Sequence, residues 1–580
     1  MRGSFSPDSM GLLYNLEMLT VDFEKKLSWL LAIGGGLTSV IVLAWNTNEP
    51  VNAPKLLVLG ATAFAALFYL VRNIKLVSRS NFHKAAYVIL SLFIVFSLTS
   101  IFASQSSFTT GFYGVLGRNT GFITYACLAI IFAAATQLSS NLVIERVLSG
   151  LFYAGIVNVI YFIFTLFGVE LIPWNNIYKV VLGTFGNPNF VGAFMGLFSI
   201  LCFARVLDSE RSVRARVLIA VPIPFALLEI KRSLASQGVA ITGLGIALIG
   251  FFFVIWKTKS RIIQIGYIAS VTVAGLLAVG GALQMGPLSS VIYKSSVSFR
   301  GEYWAAGWNM GLSNPIFGVG LDSYGTWYRE FRNPSALISP GKDVTTNTAH
   351  NVFIDFFAAG GFPLLLAYVA LTALVVVKII RVMKVNKKYD PTFVAASSLW
   401  VCYQAQSIVS INQIGIAIWG WILGGLVLGY KSTGESSELQ PGRKNPSGKT
   451  NGRALSEKEV KVSVISMILG GIIGGFIVSP PYSVDVKWRS ILSQPNAINL
   501  EQGAKAWPIS LDRIVQASQI YSRNNVPDKG LELAKFGTEK FPNDFRAWYF
   551  YYLQPNISAS EKQEVKQRLQ KLDPNNADFR

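Results

Sequence analysis

Apolar residues run along this chain in long uninterrupted blocks, separated by short polar and basic stretches. Thirteen blocks stand out, at 27–45, 56–71, 85–103, 121–138, 147–168, 190–206, 217–230, 236–256, 262–284, 352–377, 393–409, 413–430 and 462–479. At 1.5 Å per helical residue, a block of about 20 residues crosses a hydrocarbon core of about 30 Å. The pattern predicts an all-α polytopic membrane protein, with about twelve spans in one domain and a thirteenth set apart by a polar linker. The blocks at 56–71 and 217–230 are short, and Pro222 and Pro224 predict a broken or re-entrant helix in the second.

The cations fix an orientation. Loops after even-numbered blocks hold seventeen Lys and Arg, among them Arg72, Arg146, Arg205, Lys257 and Arg381, whereas short loops after odd-numbered blocks hold five: Lys55, Arg118, Lys179, Lys231 and Arg232. Basic loops stay in the cytoplasm, so the even side is predicted to be cytoplasmic. The expected order is then a cytoplasmic segment at 1–26, a membrane domain at 27–430 with an outer loop at 285–351, and a cytoplasmic linker at 431–461. A last span at 462–479 follows and carries 480–580 outside. The first residues lack the basic start, apolar run and cleavage site of a secretory signal. The linker is rich in Ser, Gly, Pro and Lys, the composition of a flexible tether. Gly470 and Gly474 in the last span predict close helix packing, within its own bundle or against a second copy.

Residues 480–580 are polar with a helical period. Helices are expected at 511–523, 527–540, 543–553 and 558–572, and Pro542 and Pro574 end successive units 32 residues apart. That is near the 34-residue tetratricopeptide period. Two such units fall short of a free solenoid. The expectation is a tetratricopeptide-like module leaning on the membrane domain or a protein partner, or a plain helical cap.

Composition narrows the function. Only 14% of the 580 residues are charged and 52% are hydrophobic, against about 25% charged in soluble proteins, which excludes an ordinary soluble enzyme. The formal charge of +20 lies mainly in loops between apolar blocks, which indicates membrane orientation and not nucleic acid. Two histidines, His83 and His350, exclude a His-rich metal centre, and Cys127, Cys202 and Cys402 sit inside apolar blocks as packing residues. No cofactor is expected.

Most outer loops are short; 285–351 is the exception, and long loops in compact domains are usually functional. Arg300 opens an amphipathic stretch with Tyr303, Trp304, Trp308 and Met310, expected as an interfacial helix that Asn314-Pro315 stops. Gly318 and Gly320 allow a tight turn, after which Asp322 and Tyr324 are placed to meet a sugar or acceptor, or to brace the turn. His350-Asn351 stands at the mouth of the tenth span. A histidine there can accept a proton from a hydroxyl, and an arginine can hold phosphate oxygens in a bidentate way. Asp355, about one turn further, is a candidate to orient the imidazole. Arg118 is a candidate phosphate ligand or loop contact, and Asn187 and Asn189 read as a helix start with a possible sugar contact.

These residues carry a resemblance. R-x-x-x-W-x-x-G at Arg300–Gly307, N-P-x-x-G-x-G at Asn314–Gly320, H-N at 350–351 and the following G-G-x-P resemble the O-antigen ligase and polymerase superfamily of bacterial membrane glycosyltransferases. L-G-R-N-T-G at Leu116–Gly121 and G-T-F-G-N-P-N-F at Gly183–Phe190 fit as well. The resemblance spans roughly residues 100–430. It implies a GT-C-like fold and a metal-independent transfer of a glycan from a polyprenyl-pyrophosphate donor to a glycan, lipid or protein acceptor. The site would lie on the outer face of the inner (cytoplasmic) membrane. It further implies that His350 serves the acceptor or orients the donor, and that Arg300 binds the pyrophosphate. The family commonly shows S-R-G where this chain has Ser236-Gln237-Gly238, so Gln237 replaces an arginine. Lys231 and Arg232 are candidates for the missing cation, or are interfacial anchors. Alternatives to a transferase are a transporter of lipid-linked sugars or small anions, or a scaffold for envelope assembly.

Overall fold

The computed structural model describes residues 7–174, 176, 180–386, 388–432 and 457–579. Most of the expected linker, 433–456, lies outside the described residues. The membrane part runs α1 (Pro7–Val40), α2 (Asn52–Arg72), α3 (Asn81–Ala103), α4 (Phe108–Tyr113), α5 (Phe122–Ala135), α6 (Asn141–Leu166), α7 (Pro188–Val206), α8 (Val213–Ala220) and α9 (Pro222–Arg232). It continues with α10 (Ser236–Lys257), α11 (Arg261–Ala282), α12 (Ser289–Ile292), α13 (Ser295–Ser313), α14 (Tyr324–Phe331), α15 (Val352–Val385), α16 (Pro391–Ser407), α17 (Ile414–Gly429) and α18 (Glu457–Val478). The tail adds α19 (Pro480–Ser493), α20 (Ala497–Lys505), α21 (Leu511–Arg523), α22 (Pro527–Lys540), α23 (Phe545–Tyr552) and α24 (Ala559–Leu572). No strand occurs among the described residues.

Every apolar block is helical. Seven helices (α2, α3, α6, α7, α10, α11 and α15) are long and apolar enough to cross a membrane, and α18 with α19 forms a further pair bent by 52°. The shorter α5 and α17 are also apolar. The double-proline block is broken as expected: α8 ends at Ala220, and α9 starts with Pro222 in its first turn, where a missing N–H costs nothing. The protein is thus an all-helical polytopic membrane protein.

Burial ranks the helices. All sixteen residues of α17 are buried, its glycines admitting the side chains and backbone of α5 and α16. Gly425, for instance, lies against the Phe132 carbonyl, and Gly420 against the Tyr403 ring. At the other extreme, α11 buries only Gly281 and turns Ile262, Val273 and Leu276 outward. An apolar helix exposed in this way belongs in lipid.

Polar groups collect at the two ends of the bundle. At one end Glu145 pairs with Arg205 at 3.0 Å and with Arg211 at 2.7 Å. At the other end lie the loops 41–51, 104–121 and 314–349 together with the tail. Asp485 accepts the backbone N–H groups of Asn48 and Glu49 at 2.8 Å each, Asn543 donates to the Gln105 carbonyl at 3.0 Å, and Ser106 donates to the Val319 carbonyl at 2.5 Å. The outer loop and the tail therefore share one side.

The tail holds the four expected helices and two more, α19 and α20. Trp488, Ile491, Leu500, Ile514 and Tyr521 form one core, and Phe545, Tyr551, Val565, Leu569 and Phe579 a second. The module leans on the membrane domain through the contacts above. Gly470 and Gly474 pack α18 against α2 of the same chain, so the own-bundle reading holds. A Cβ at Gly474 would stand 2.4 Å from the Gly60 carbonyl oxygen, and one at Gly470 2.5 Å from that of Phe64. Gly474→Leu is expected to lower stability by about 1–3 kcal/mol through overpacking, read by thermal melting in detergent. Gly475→Leu, which meets open space, is expected to stay within about 0.5 kcal/mol of the parent.

Candidate functional site

The outer loop descends onto a break in α15. Gly360 and Gly361 leave helical geometry (φ −138° and +64°). The break leaves backbone groups without helical partners, and the Asn314–Gly320 turn takes them up. Val319 N–H donates to the Ala358 carbonyl at 2.8 Å, Gly320 N–H to that of Ala359 at 3.0 Å, and Phe362 N–H to that of Pro315 at 2.8 Å. Ser100 Oγ also donates to Ala359 at 2.6 Å. Such an approach needs glycine: a Cβ on Gly318 would lie 2.3 Å from the Ala359 carbonyl carbon. The G-G-x-P run therefore marks a break within the tenth span and not its end, since α15 continues to Val385.

The same docking orders α13. Gly307 and Gly311, one turn apart, let α13 lie on Ile354 and Phe357 of α15. Residues 300, 303, 307 and 311 share that face, so Arg300 and Tyr303 extend towards the start of α15. The Tyr303 ring stands 5.8 Å from the His350 ring, tilted by 30°. His350 takes a left-handed backbone (φ +55°), unusual for a residue with a side chain. Three bonds hold it there: its N–H donates to Thr348 Oγ1 at 2.7 Å, Ala349 N–H to Asp355 Oδ1 at 2.8 Å, and Arg118 Nη1 to the Asn347 carbonyl at 2.9 Å.

Burial pushes the His350 imidazole down to about 4, and the Arg300 and Arg118 guanidinia add to the shift. It is therefore neutral near pH 7. Burial also lowers Arg300, which has no carboxylate partner among the described residues. Arg118 differs: it pairs with Asp322 at 3.3 Å. A neutral imidazole beside a half-buried, uncompensated guanidinium is a proton acceptor next to an anion site.

The other expected site residues are mostly occupied. Asp322 accepts Val115 N–H at 2.8 Å and Thr120 N–H at 3.3 Å, folding the Leu116–Gly121 loop around itself and Arg118. Tyr324 is buried and donates its hydroxyl to the Tyr303 carbonyl. Asn351 caps α15, its Oδ1 accepting Phe353 N–H at 3.0 Å. Asp355 binds the Ala349 backbone and makes no hydrogen bond to the imidazole. These four brace the site: bonds to backbone groups, local for Asn351 and Asp355 and distant for Asp322 and Tyr324, use their polar atoms. Asn187 likewise caps α7 through Asn189 N–H at 2.9 Å.

Lys231 and Arg232 end α9, exposed, and Gln237 donates to the Asn189 carbonyl. No hydrogen bond or ion pair joins these three to Arg300, Arg118 or His350 among the described residues. A bridge does exist. Lys294, the N-cap residue of α13, donates to the Leu234 carbonyl at 2.7 Å. Lys294 and Lys231 line an open crevice of about 450 Å³ walled by Leu227, Ile230, Leu234 and Val239. Arg300 lies six residues, about 9 Å of helix, from Lys294. Lys294 was missed in sequence because only the fold brings it beside the α9–α10 turn.

Helical spans with cations gathered at one end define an integral membrane protein. Residues 233–369 match the family model described as O-antigen ligase. The matched segment, about a quarter of the chain, runs from the α9–α10 turn into α15 beyond its break and contains Arg300 and His350. The match supports a membrane glycosyl-transfer function in polysaccharide assembly. No curated protein matches the chain.

With two histidines in the chain, His350 can be titrated chemically. His83 is buried and held at both nitrogens, by Ser80 at 2.6 Å and the Thr136 carbonyl at 2.8 Å. Carbethoxylation of His350 by diethyl pyrocarbonate, followed by peptide mass mapping, is expected to show a midpoint near pH 4. Arg300→Ala removes a cation facing the imidazole, so the midpoint is expected to rise.

Proposed function

We propose that the protein transfers a glycan from a polyprenyl-pyrophosphate donor to an acceptor hydroxyl or amide on the extracytoplasmic face of the cytoplasmic membrane. The carrying observation is the uncompensated Arg300 beside the neutral His350, within the O-antigen ligase segment. The seventeen-to-five bias of cations supports the orientation, with the site and tail outside and the 431–461 linker inside.

In this reading the polyprenol enters by the crevice at Lys231 and Lys294, with Arg232 nearby, and the pyrophosphate reaches Arg300. The acceptor oxygen attacks the anomeric carbon while its proton passes to His350. The bond from that carbon to the pyrophosphate oxygen breaks, and the charge that develops falls to Arg300 and the lysines. Side-chain cations supply this stabilisation, so the transfer is metal-independent. Arg118 and Asp322 set the loop, and Tyr303 orients the imidazole by ring contact.

A base with a pKa near 4 is weak, and catalysis favours one near the working pH. The donor reduces this mismatch, although burial, the larger cause, remains. A pyrophosphate on Arg300 offsets the cation that lowers His350, so the base strengthens when the donor is bound. Inorganic pyrophosphate is expected to raise the carbethoxylation midpoint of His350 in the parent protein and to leave Arg300→Ala unchanged.

The direct test uses purified protein, a polyprenyl-pyrophosphate oligosaccharide and a panel of acceptors. His350→Ala is expected to lower kcat by about 10²–10⁴-fold with donor binding kept. Arg300→Ala is expected to weaken donor binding by about 10- to 100-fold, the worth of a charged hydrogen bond. Full turnover in His350→Ala would move the base elsewhere, and unchanged donor affinity in Arg300→Ala would remove the arginine from the pyrophosphate site.

A further inference from the structure

The last turn of the tail grips the outer loop. Asp573, directly after α24, is completely buried. Its carboxylate accepts from Arg332 Nη2 on both oxygens, at 2.9 and 2.7 Å, and from Arg329 Nη1 at 2.9 Å. Asn575 donates to the Arg332 carbonyl at 3.0 Å. Arg329 also stacks on the Phe545 ring of the tail, 4.3 Å from its centroid. Farther out, Lys342 and Asp578 make an exposed pair at 2.7 Å.

The grip reaches the site by two routes. Arg332 Nη1 donates to the Lys342 carbonyl at 2.8 Å, so one carboxylate gathers both ends of the 332–342 loop. Eight residues beyond Lys342 stands His350, tethered on the way by Thr348 and by the Asn347 carbonyl. The second route is α14 itself, which ends at the gripped arginines. Its Tyr324 hydroxyl holds the Tyr303 carbonyl, and its Tyr328 ring lies 5.9 Å from that of Tyr303, the ring that faces His350.

Two arginines share this one carboxylate, and Arg332 is itself buried. Such a cluster is a poor source of net stability, and removing its carboxylate leaves buried cations unmatched. Its use is register: it fixes where the loop lies relative to the tail. The tail keeps other anchors, through Asp485 on the 48–49 backbone and Arg489 on the Thr47 carbonyl, so loss of the grip need not detach it.

We infer that Asp573 is a positioning residue, and that the C-terminal strap 573–578 sets the outer loop so that Tyr303 and His350 are placed only when the tail is docked. The inference rests on the proposed use of His350, but its test reads the imidazole alone and needs no donor or acceptor. In the full chain, Asp573→Asn is expected to move the carbethoxylation midpoint of His350 from about 4 more than halfway to the ordinary value of about 6.5, as the loop loosens and water enters. Asn575→Ala is expected to move it in the same direction by less, and Asp578→Asn to leave it in place. An unchanged midpoint in a cooperatively melting Asp573→Asn overturns the inference. Should that variant fail to fold, Asn575→Ala decides, and an unchanged midpoint there overturns it equally. If the midpoint moves as expected while His350→Ala retains full turnover, the strap stands and the transferase mechanism falls.

Discussion

A helix in a membrane cannot leave its backbone polar groups unpaired, and α15 is broken at Gly360–Gly361. The rest of the site follows from how that debt of hydrogen bonds is met. The 314–320 turn supplies two N–H groups and one carbonyl, which ties the outer loop to the top third of α15. Once the turn is there, α13 has one place to lie, with Gly307 and Gly311 against α15. Arg300 and Tyr303 are then carried to the start of the same helix, where His350 waits in a left-handed conformation. A structural necessity of the bilayer and the grouping of Arg300, Tyr303 and His350 are thus one arrangement.

The arginines on this face divide by their partners. Arg118 has Asp322, and Arg329 and Arg332 have Asp573; all three hold chain segments together. Arg300 has no carboxylate partner among the described residues, although burial makes its charge costly. A desolvated charge without a counterion marks a candidate functional site. The imidazole reports the same imbalance, because its depressed basicity comes from burial and from the two cations that face it.

Much of the fold was legible because lipid imposes a simple pattern: every apolar block is a helix, and the double proline marks the broken one. That Arg300, the glycine turn and His350 share one long loop was legible because all of them lie within 285–351. Bracing by Asp322 was one of two readings, but its partners, and those of Tyr324, Asn351 and Asp355, were not legible, because a polar side chain in sequence does not reveal which backbone group claims it. Asp322 is bound by residues about two hundred positions earlier, and Asp573 meets Arg332 across 241. Lys294 was invisible for the same reason, since its neighbour Lys231 lies on another helix. Helices α19 and α20 escaped notice because Trp488, Ile491 and Leu500 form a core only with α21.

The fully enclosed α17 has one more consequence. Its sixteen residues span about 24 Å, less than a typical hydrocarbon core, yet it touches protein on every side. Hydrophobic mismatch acts only on helices that meet lipid, and the outermost of these is α11. Bilayers of different thickness can therefore tilt the rim while the central post, whose N-cap residue Gln413 donates to Asn52 Oδ1, keeps its length and its hold on that end of the bundle. The end of the bundle that holds Arg300 and His350 is in this way insulated from changes in the thickness of the membrane.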